Sequence, residues 1–357
     1  MNERRNVLIL GASYGSLFAT KLLLAGHAAT LVCTRSTADL INAEGTLIRL
    51  PVKALERPVE IASAQTPGRL SACTPEEVES QHYDLVVLAM QEPQYGAPGV
   101  RELVSRLAAA RLPCMAIMNM PPLPYLKRVP TVASEPLVDC YTDPSVWDGF
   151  DPGLMTVASP DPQAFRPPDE GKNVLQVSLP TNFKVARFES DAPTALLRGL
   201  EADIDAIRYE ADGGPVELPV RLRVRESIFA PMAKWSMLLT GNYRCVRRAD
   251  MISIRDAVHS DLAASKGIYD WVGSVCARLG AKRSDLVPFA KYAEAANGLT
   301  KPSSAARALF GGAANIERVD CLVRRIAAQQ GMHLDAVDEI VTLVDERLAH
   351  NREAARA

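Results

Sequence analysis

The stretch Asn6-Val7-Leu8-Ile9-Leu10-Gly11-Ala12-Ser13-Tyr14-Gly15-Ser16, continued by residues 17–26 and by Ala28-Ala29-Thr30-Leu31-Val32-Cys33, decides how the chain is read. A short apolar run closed by glycine has the pattern of a buried strand. Residues 17–25 are rich in Leu and Ala, which suits a helix, and Gly26 stops it. The second apolar run then suits a parallel strand. Strand, tight glycine turn, helix and strand within about 30 residues form the βαβ unit that binds dinucleotides. Glycine allows the turn and brings the backbone close to a phosphate, while the N–H groups and dipole of the helix start hold the anion. Gly11, Ala12, Ser13, Tyr14, Gly15 and Ser16 are therefore candidate cofactor-binding residues, although the turn is one residue shorter than G-x-G-x-x-G. The same letters spell G-x-S-x-G, the nucleophile elbow of serine hydrolases, with Ser13 as nucleophile. A strand-turn-helix that holds no phosphate is the third reading.

Arg35 follows the second strand, where an acid receives a ribose 2′-hydroxyl and an Arg receives a 2′-phosphate. This points to NADP(H); the alternative is an ordinary solvated surface cation. Farther along, Tyr83-Asp84-Leu85-Val86-Val87-Leu88-Ala89-Met90 reads as another buried strand, ending at Gln91-Glu92-Pro93. Ligands of open α/β sheets collect outside the carboxyl ends of strands, which puts Met90, Gln91 and Glu92 near the cofactor. Residues 100–110 read as a helix and 113–118 as the next strand, with Asn119 at its carboxyl end. Asn119 is either a turn former bonded to its own backbone or an amide that touches nicotinamide or a substrate carbonyl.

Composition sets the outer limits. A length of 357 residues favours two domains, and 48% hydrophobic content suffices for buried cores. A net charge of −2 without a dense basic stripe argues against nucleic acid, since Arg244, Arg247 and Arg248 form only a small group. No apolar run approaches the roughly 20 residues of a membrane span. Met-Asn-Glu-Arg-Arg enters the first strand directly, leaving no room for a signal peptide, so a cytoplasmic location is expected. Seven scattered cysteines without a C-x-x-C pair argue against a zinc site or a disulfide framework, and no metal is expected. The expected partner is a small-molecule substrate, and a homodimer is compatible with the chain.

Residues 144–180 are rich in Pro, Asp and Gly, with strand-like Met155-Thr156-Val157-Ala158 and Val174-Leu175-Gln176-Val177, which suggests the irregular antiparallel edge of a mixed sheet. A helix is expected over 192–206, breaks at Asp212-Gly213-Gly214-Pro215 and Pro219, and a domain boundary near 222. The predicted domains are 1–222, an NADP-binding Rossmann-type domain, and 223–357, a helical substrate and catalytic domain. Stripes at helical spacing predict helices over 255–279, 316–330 and 334–344, all core-facing. The fold class is thus α/β: an N-terminal Rossmann-type doubly wound sheet with an all-helical C-terminal domain.

The polar exception is 226–243. Lys234, Leu238 and Asn242 stand at i, i+4 and i+8, which puts them on one face of an α-helix, among Phe229, Met232, Trp235, Met237 and Leu239. A Lys so placed is either a solvated face residue or a group that must pair or lose its proton, as a general acid at neutral pH requires. Pro231 requires the helix to start beside it or kink there.

With these residues in view, the chain resembles the ketopantoate reductase family, within the wider group of two-domain dehydrogenases with an all-helical, 6-phosphogluconate dehydrogenase-like C-terminal domain. The family signature G-A-G-A-I-G-S-L-F-A is similar to Gly11-Ala12-Ser13-Tyr14-Gly15-Ser16-Leu17-Phe18-Ala19 with one residue deleted. Arg35 matches the family's NADPH determinant, and Asn119 matches the Asn after the strand ending at Met118. Lys234 and Asn242 match the Lys and second Asn of its Lys-x-x-x-Asn-x-x-x-Asn helix. The resemblance also implies a Ser, matched by Ser304 or Ser303, and an acidic position that falls either on Asn315, where the acid is lost, or on Glu317, where it is kept.

Departures are Leu238 for the first Asn of that helix, Gln91 for a Lys, Met118 and Met120 beside Asn119, and a longer region after Asn119. These imply retained chemistry on a substrate other than ketopantoate. Hydride from NADPH would reduce the carbonyl of a small 2-oxo acid or related ketone. Lys234 and Asn119 would be catalytic, and Asn242, Ser304 and Glu317 would bind substrate. An opine- or imine-type dehydrogenase and a non-catalytic NADP(H) sensor remain as alternatives.

Overall fold

The computed structural model describes residues 3–211 and 214–356. Two compact units result, each discontinuous in sequence. The first takes the chain up to Met90, Gln94–Met118 and Ser145–Glu226; the second takes Gln91–Pro93, Asn119–Pro144 and Ser227 onward.

In chain order the elements begin with β1 (Asn6–Leu10), α1 (Tyr14–Leu24), β2 (Ala28–Val32), α2 (Arg35–Glu44), β3 (Leu47–Leu50), β4 (Val59–Ala62), β5 (Arg69–Cys73) and β6 (Leu85–Leu88). There follow α3 (Val100–Ala109), β7 (Cys114–Ile117), the short α4 (Leu123–Leu126) of the second unit, β8 (Met155–Ser159), β9 (Gln163–Phe165), β10 (Val174–Leu179) and β11 (Phe183–Ala186). Then α5 (Asp191–Asp205) precedes the hairpin β12 (Tyr209–Ala211) and β13 (Gly214–Val216), and β14 (Leu222–Arg225).

The main sheet has the order β14-β11-β8-β7-β6-β1-β2-β5. β1 pairs in parallel with both β2 and β6, in the register Leu8–Thr30 and Leu8–Val86. Chain order runs outward in opposite directions from β1 and β6, so their carboxyl ends form the switch point where open α/β sheets bind ligands. Val7–Leu10 and Leu85–Leu88 are fully inaccessible, as central strands covered on both faces must be. The helix α1 is buried nearly all round, against β2, β3, β5 and α5, which explains its continuous apolar sequence.

Residues 144–180 depart from the expected sheet edge. Only β8 joins the main sheet, parallel to β7 and antiparallel to β11. β9 and β10 leave it for a second sheet of order β4-β3-β10-β9. Burial alternates along β10, with Leu175 and Val177 inside, so this sheet has one face on the core. β14 is a strand of the main sheet, at the place where the sequence pattern suggests a domain boundary. The breakers Asp212 and Gly213 lie outside the described residues.

The second unit is helical. It contains α6 (Ala233–Met237), α7 (Ile254–His259), α8 (Leu262–Leu279), α9 (Phe289–Ala296), α10 (Ser304–Phe310), α11 (Val319–Gln329) and α12 (Asp335–Ala354). Val258, Val272, Leu322, Ile326, Val341 and Val344 form its inaccessible interior. The single helix expected over 255–279 is two: the chain breaks after His259, and the Asp261 carboxylate accepts the Ala264 N–H to restart α8. Among the described residues no helix is long and apolar enough to cross a membrane.

One aromatic group joins α1 to the sheet. Phe183 is inaccessible and meets Tyr14 and Phe18 edge-on, at 5.8 and 5.6 Å between ring centroids. Phe183→Ala should cost about 3–5 kcal/mol in urea unfolding. A loss below about 1 kcal/mol would show that Phe183 does not lock α1 to the sheet.

Candidate functional site

At the carboxyl end of β1 the Gly11 N–H donates to the Val32 carbonyl at 2.9 Å, and φ is +106°. A Cβ there would lie 2.8 Å from the Ala89 carbonyl oxygen and 2.7 Å from Met90 Cγ, so the turn closes onto β6 only with glycine. Gly15 is constrained by packing instead, since its Cβ would meet Ile9 Cγ2 at 2.6 Å. Exposed Ser13 is the N-cap of α1 and makes no side-chain capping bond, so the first N–H groups of this 11-residue helix have no side-chain acceptor from their cap. Ser16 hydrogen-bonds back to the Ala12 carbonyl within the turn. Tyr14 turns away, its Oη donating to the Pro162 carbonyl at 2.7 Å. Met90 is held by Tyr95, whose Oη accepts the Met90 N–H at 3.0 Å. An unfilled helix start over a glycine-only turn at the switch point fits the phosphates of a dinucleotide.

Two arginines flank this turn region, and the sequence pointed to only one. Arg35 lies three residues past the end of β2, as the first residue of α2. Its Nη2 is 2.7 Å from Glu77 Oε1, and both side chains are over 40% exposed. A pair so solvated is held only weakly, so a doubly charged phosphate can displace Glu77. The second cation, Arg166, stands just after β9 and donates from Nη2 to the Ala12 carbonyl at 3.0 Å. No local motif marks it, because the second sheet carries it across 154 residues of sequence.

The second unit gathers a separate polar group. Glu317 is buried, and its Oε2 accepts from Asn119 Nδ2 at 3.1 Å. Burial pushes its carboxyl up to about 7, against the Asn119 amide, the Glu92 backbone N–H and the Lys234 ammonium, which favour the charged form. Glu92 is itself buried and accepts from the Thr142 N–H and Oγ1–H, each at 3.0 Å. Burial raises its carboxyl too, with the Thr142 bonds opposing. Tyr243 fixes the backbone around Glu317: its Oη donates to the Glu317 carbonyl and accepts the Val319 N–H. Asn119 Oδ1 is buried and has no hydrogen-bond partner among the described residues. An acceptor left so is costly, and a bound N–H or O–H would relieve it.

Lys234 is half-buried on α6. The single α face expected for Lys234, Leu238 and Asn242 is not formed. Residues Ala230–Met232 make a 3₁₀ turn at Pro231, and Leu238–Asn242 make a π turn. The cause is Tyr292, whose Oη donates to the Met237 carbonyl at 3.1 Å, the acceptor that an α-helix would give to Gly241. A Cβ at Gly241 would meet that hydroxyl at 2.0 Å. The wider turn rotates Asn242 off the Lys234 stripe.

The other predicted residues are spread out. Asn242 accepts through its carbonyl from Ser303 Oγ at 2.6 Å, and Ser303 also caps α10 by accepting the Ala306 N–H. Ser304 is exposed on the first turn of that helix. Asn315 accepts from Arg352 at 3.0 Å, so Glu317, rather than residue 315, is the side chain beside Asn119. Gln91 is exposed, next to buried Glu92.

No family model matches the sequence, and no curated protein matches it. Solved structures do match in fold. The chain is 13% identical to a 2-dehydropantoate 2-reductase from Methylococcus capsulatus, with a TM-score of 0.67 and 97% of each chain covered. It is 13% identical to a D-mandelate dehydrogenase solved with NADH and anilino(oxo)acetate, at TM-score 0.63, covering 97% of this chain and 99% of that one. A probable 2-dehydropantoate 2-reductase from Bacillus subtilis is similar at 13% identity and TM-score 0.61, over 96% and 99%. At this identity the likeness establishes the shared fold: a Rossmann-type sheet unit with a helical unit.

The Glu317 carboxyl has a sharp consequence for stability. In the folded protein it titrates at about 7, above the ordinary glutamate value of 4.5. The native state therefore binds the extra proton between those values, and stability falls as pH rises through the window. Glu317→Gln removes the titration while keeping an acceptor for Asn119. The stability difference between wild type and E317Q should shift by on the order of 3 kcal/mol from pH 4.5 to 7, against the wild type. Parallel pH-stability curves would contradict burial of this acid.

Proposed function

We propose that this chain is an NADPH-dependent reductase of ketopantoate reductase type that transfers hydride to the carbonyl of a small 2-oxo acid or related ketone other than ketopantoate. The observation that carries this reading is the grouping of Lys234, Asn119 and buried Glu317 in one unit, with an unsatisfied amide oxygen on Asn119. The shared fold supports the class, since its other holders include a dehydrogenase solved with NADH and an oxo-acid derivative.

The bound nicotinamide would supply the hydride. The start of α1, Arg35 and Arg166 would hold its phosphates, with Met90 and Gln91 flanking. Lys234 donates a proton to the forming alkoxide and stabilises its charge. Asn119 accepts a hydrogen bond from the carboxamide or from a substrate hydroxyl, satisfying Oδ1. Glu317 keeps the Asn119 amide oriented and faces polar substrate groups, with Asn242 and Ser304 as further substrate contacts. Residues 1–222 and 223–357 then serve as cofactor and substrate domains. Buried Leu238, where the family's helix has an Asn, favours one second reading: an NADP(H) sensor without turnover.

A screen of 2-oxo acids, ketones and aldehydes with NADPH, run beside NADH, tests both readings. Turnover should be faster with NADPH. Lys234→Met should lower kcat by about 10²- to 10⁴-fold while leaving NADPH binding within about twofold. Unchanged turnover in K234M would remove Lys234 from the chemistry, faster NADH oxidation would remove Arg35 as the determinant, and nucleotide binding without any turnover would favour the sensor.

A further inference from the structure

The sequence scatters seven cysteines without a pairing motif, yet the second unit brings Cys140 and Cys321 to 3.4 Å between sulfurs, 181 residues apart along the chain. Both are free thiols, and both line a cavity of about 230 Å³ together with Asp139, Arg318, Arg324 and Arg325. The segment that carries Cys140 is already fastened to α11. Arg325 binds the Asp139 carboxylate at 3.0 Å and the Pro136 carbonyl at 2.6 Å. Gln329 exchanges two hydrogen bonds with the Ala133 backbone, and Gln330 donates to the Thr131 carbonyl. A disulfide bond is about 2.0 Å long, so the sulfurs must close by only about 1.4 Å, within the reach of side-chain torsions on a backbone held in place.

From this geometry we propose that Cys140 and Cys321 form a peroxide-oxidised dithiol, with Cys321 the attacking sulfur and Cys140 the resolving one. The roles follow from the surroundings. Cys321 accepts a hydrogen bond from the Cys140 thiol and faces the Arg318 and Arg324 guanidiniums, and these favour its thiolate over the opposing effect of burial. Cys140, as the donor of that bond and itself buried, keeps its proton.

The thiolate of Cys321 attacks one peroxide oxygen; an S–O bond forms, the O–O bond breaks, and hydroxide leaves to become water. Cys140 then loses its proton as its sulfur attacks the Cys321 sulfenic acid; the S–S bond forms, the S–O bond breaks, and a second water departs. Two thiols are oxidised by two electrons, and one peroxide is reduced to two waters.

The other cysteines provide internal controls. Cys33, just after β2, donates its N–H to the Cys73 carbonyl of β5 at 3.0 Å and both side chains are more exposed, but burial pushes both thiols up to about 11. Cys114 and Cys276 are fully inaccessible. Exposure alone therefore selects Cys33 and Cys73, whereas thiolate stabilisation and proximity select Cys140 and Cys321. The resulting bond would tie the strap ending at Cys140, two residues before the Thr142 that holds Glu92, to the helix that begins two residues after Glu317. The proposal does not depend on the substrate.

Treatment of the reduced full-length protein with one equivalent of hydrogen peroxide, followed by alkylation and peptide mapping without reductant, tests it. The expected map joins the Cys140 and Cys321 peptides with a loss of about 2 Da and leaves the remaining five of the seven cysteines alkylated. Cys140→Ser should stop at a Cys321 sulfenic acid that dimedone traps, and Cys321→Ser should yield neither product. A Cys33–Cys73 cross-link as the main product, or Cys140 and Cys321 both still alkylated, would overturn the proposal. The wild-type map decides the matter even if a variant fails to fold.

Discussion

Taking a carboxylate out of water costs several kcal/mol unless donors and countercharges replace the lost solvation. Glu317 meets that cost only partly, through one amide, one backbone N–H and the field of Lys234, and its carboxyl consequently binds a proton far more readily than a solvated acid. Most of what is distinctive about the helical unit follows from this compromise. Tyr243 grips the backbone at the Glu317 carbonyl and the Val319 N–H, Thr142 satisfies Glu92 nearby, and Asn119 spends its amide N–H on Glu317, leaving its oxygen without a donor among the described residues. Partly satisfied polar groups of this kind destabilise a fold and are characteristic of places where a ligand completes the network.

In the sheet unit a steric constraint plays the corresponding part. The turn after β1 packs against the end of β6 so closely that Gly11 admits no side chain, and the start of α1 is left without a side-chain cap. Arg166, delivered by the second sheet, donates to the carbonyl of Ala12 inside that turn. The long segment between β7 and α5 thus contributes a cation to the turn as well as strands to two sheets.

Local pattern reveals elements whose burial is uniform along their length. β1, α1, β6 and β7 are such elements, and their apolar runs mark them directly, as the spaced stripes mark α8, α11 and α12. The strands β3, β4 and β5 are short and mix apolar with polar or charged residues, a weak signal over four or five positions. Features fixed by distant partners were not legible at all. The π turn at Leu238–Asn242 depends on a Tyr292 hydroxyl 55 residues from Met237, and the burial of Glu92 depends on Thr142, 50 residues away. The pairing of Cys140 with Cys321 is equally invisible to a spacing rule. Motif matching put the family's acidic position at either Asn315, which would lose the acid, or Glu317, which keeps it, and only the folded chain distinguishes the residue bonded to Asn119 from the one bonded to Arg352.

The ammonium of half-buried Lys234 acts on the buried carboxyl of Glu317. Carbon-13 NMR titration of the Glu317 side-chain carboxyl, in the wild type and in K234M, measures that relation directly. The midpoint should lie near 7 in the wild type and higher once the ammonium is removed, because its field favours the carboxylate. A wild-type midpoint near the ordinary glutamate value of about 4.3, or one that does not move in K234M, would contradict it.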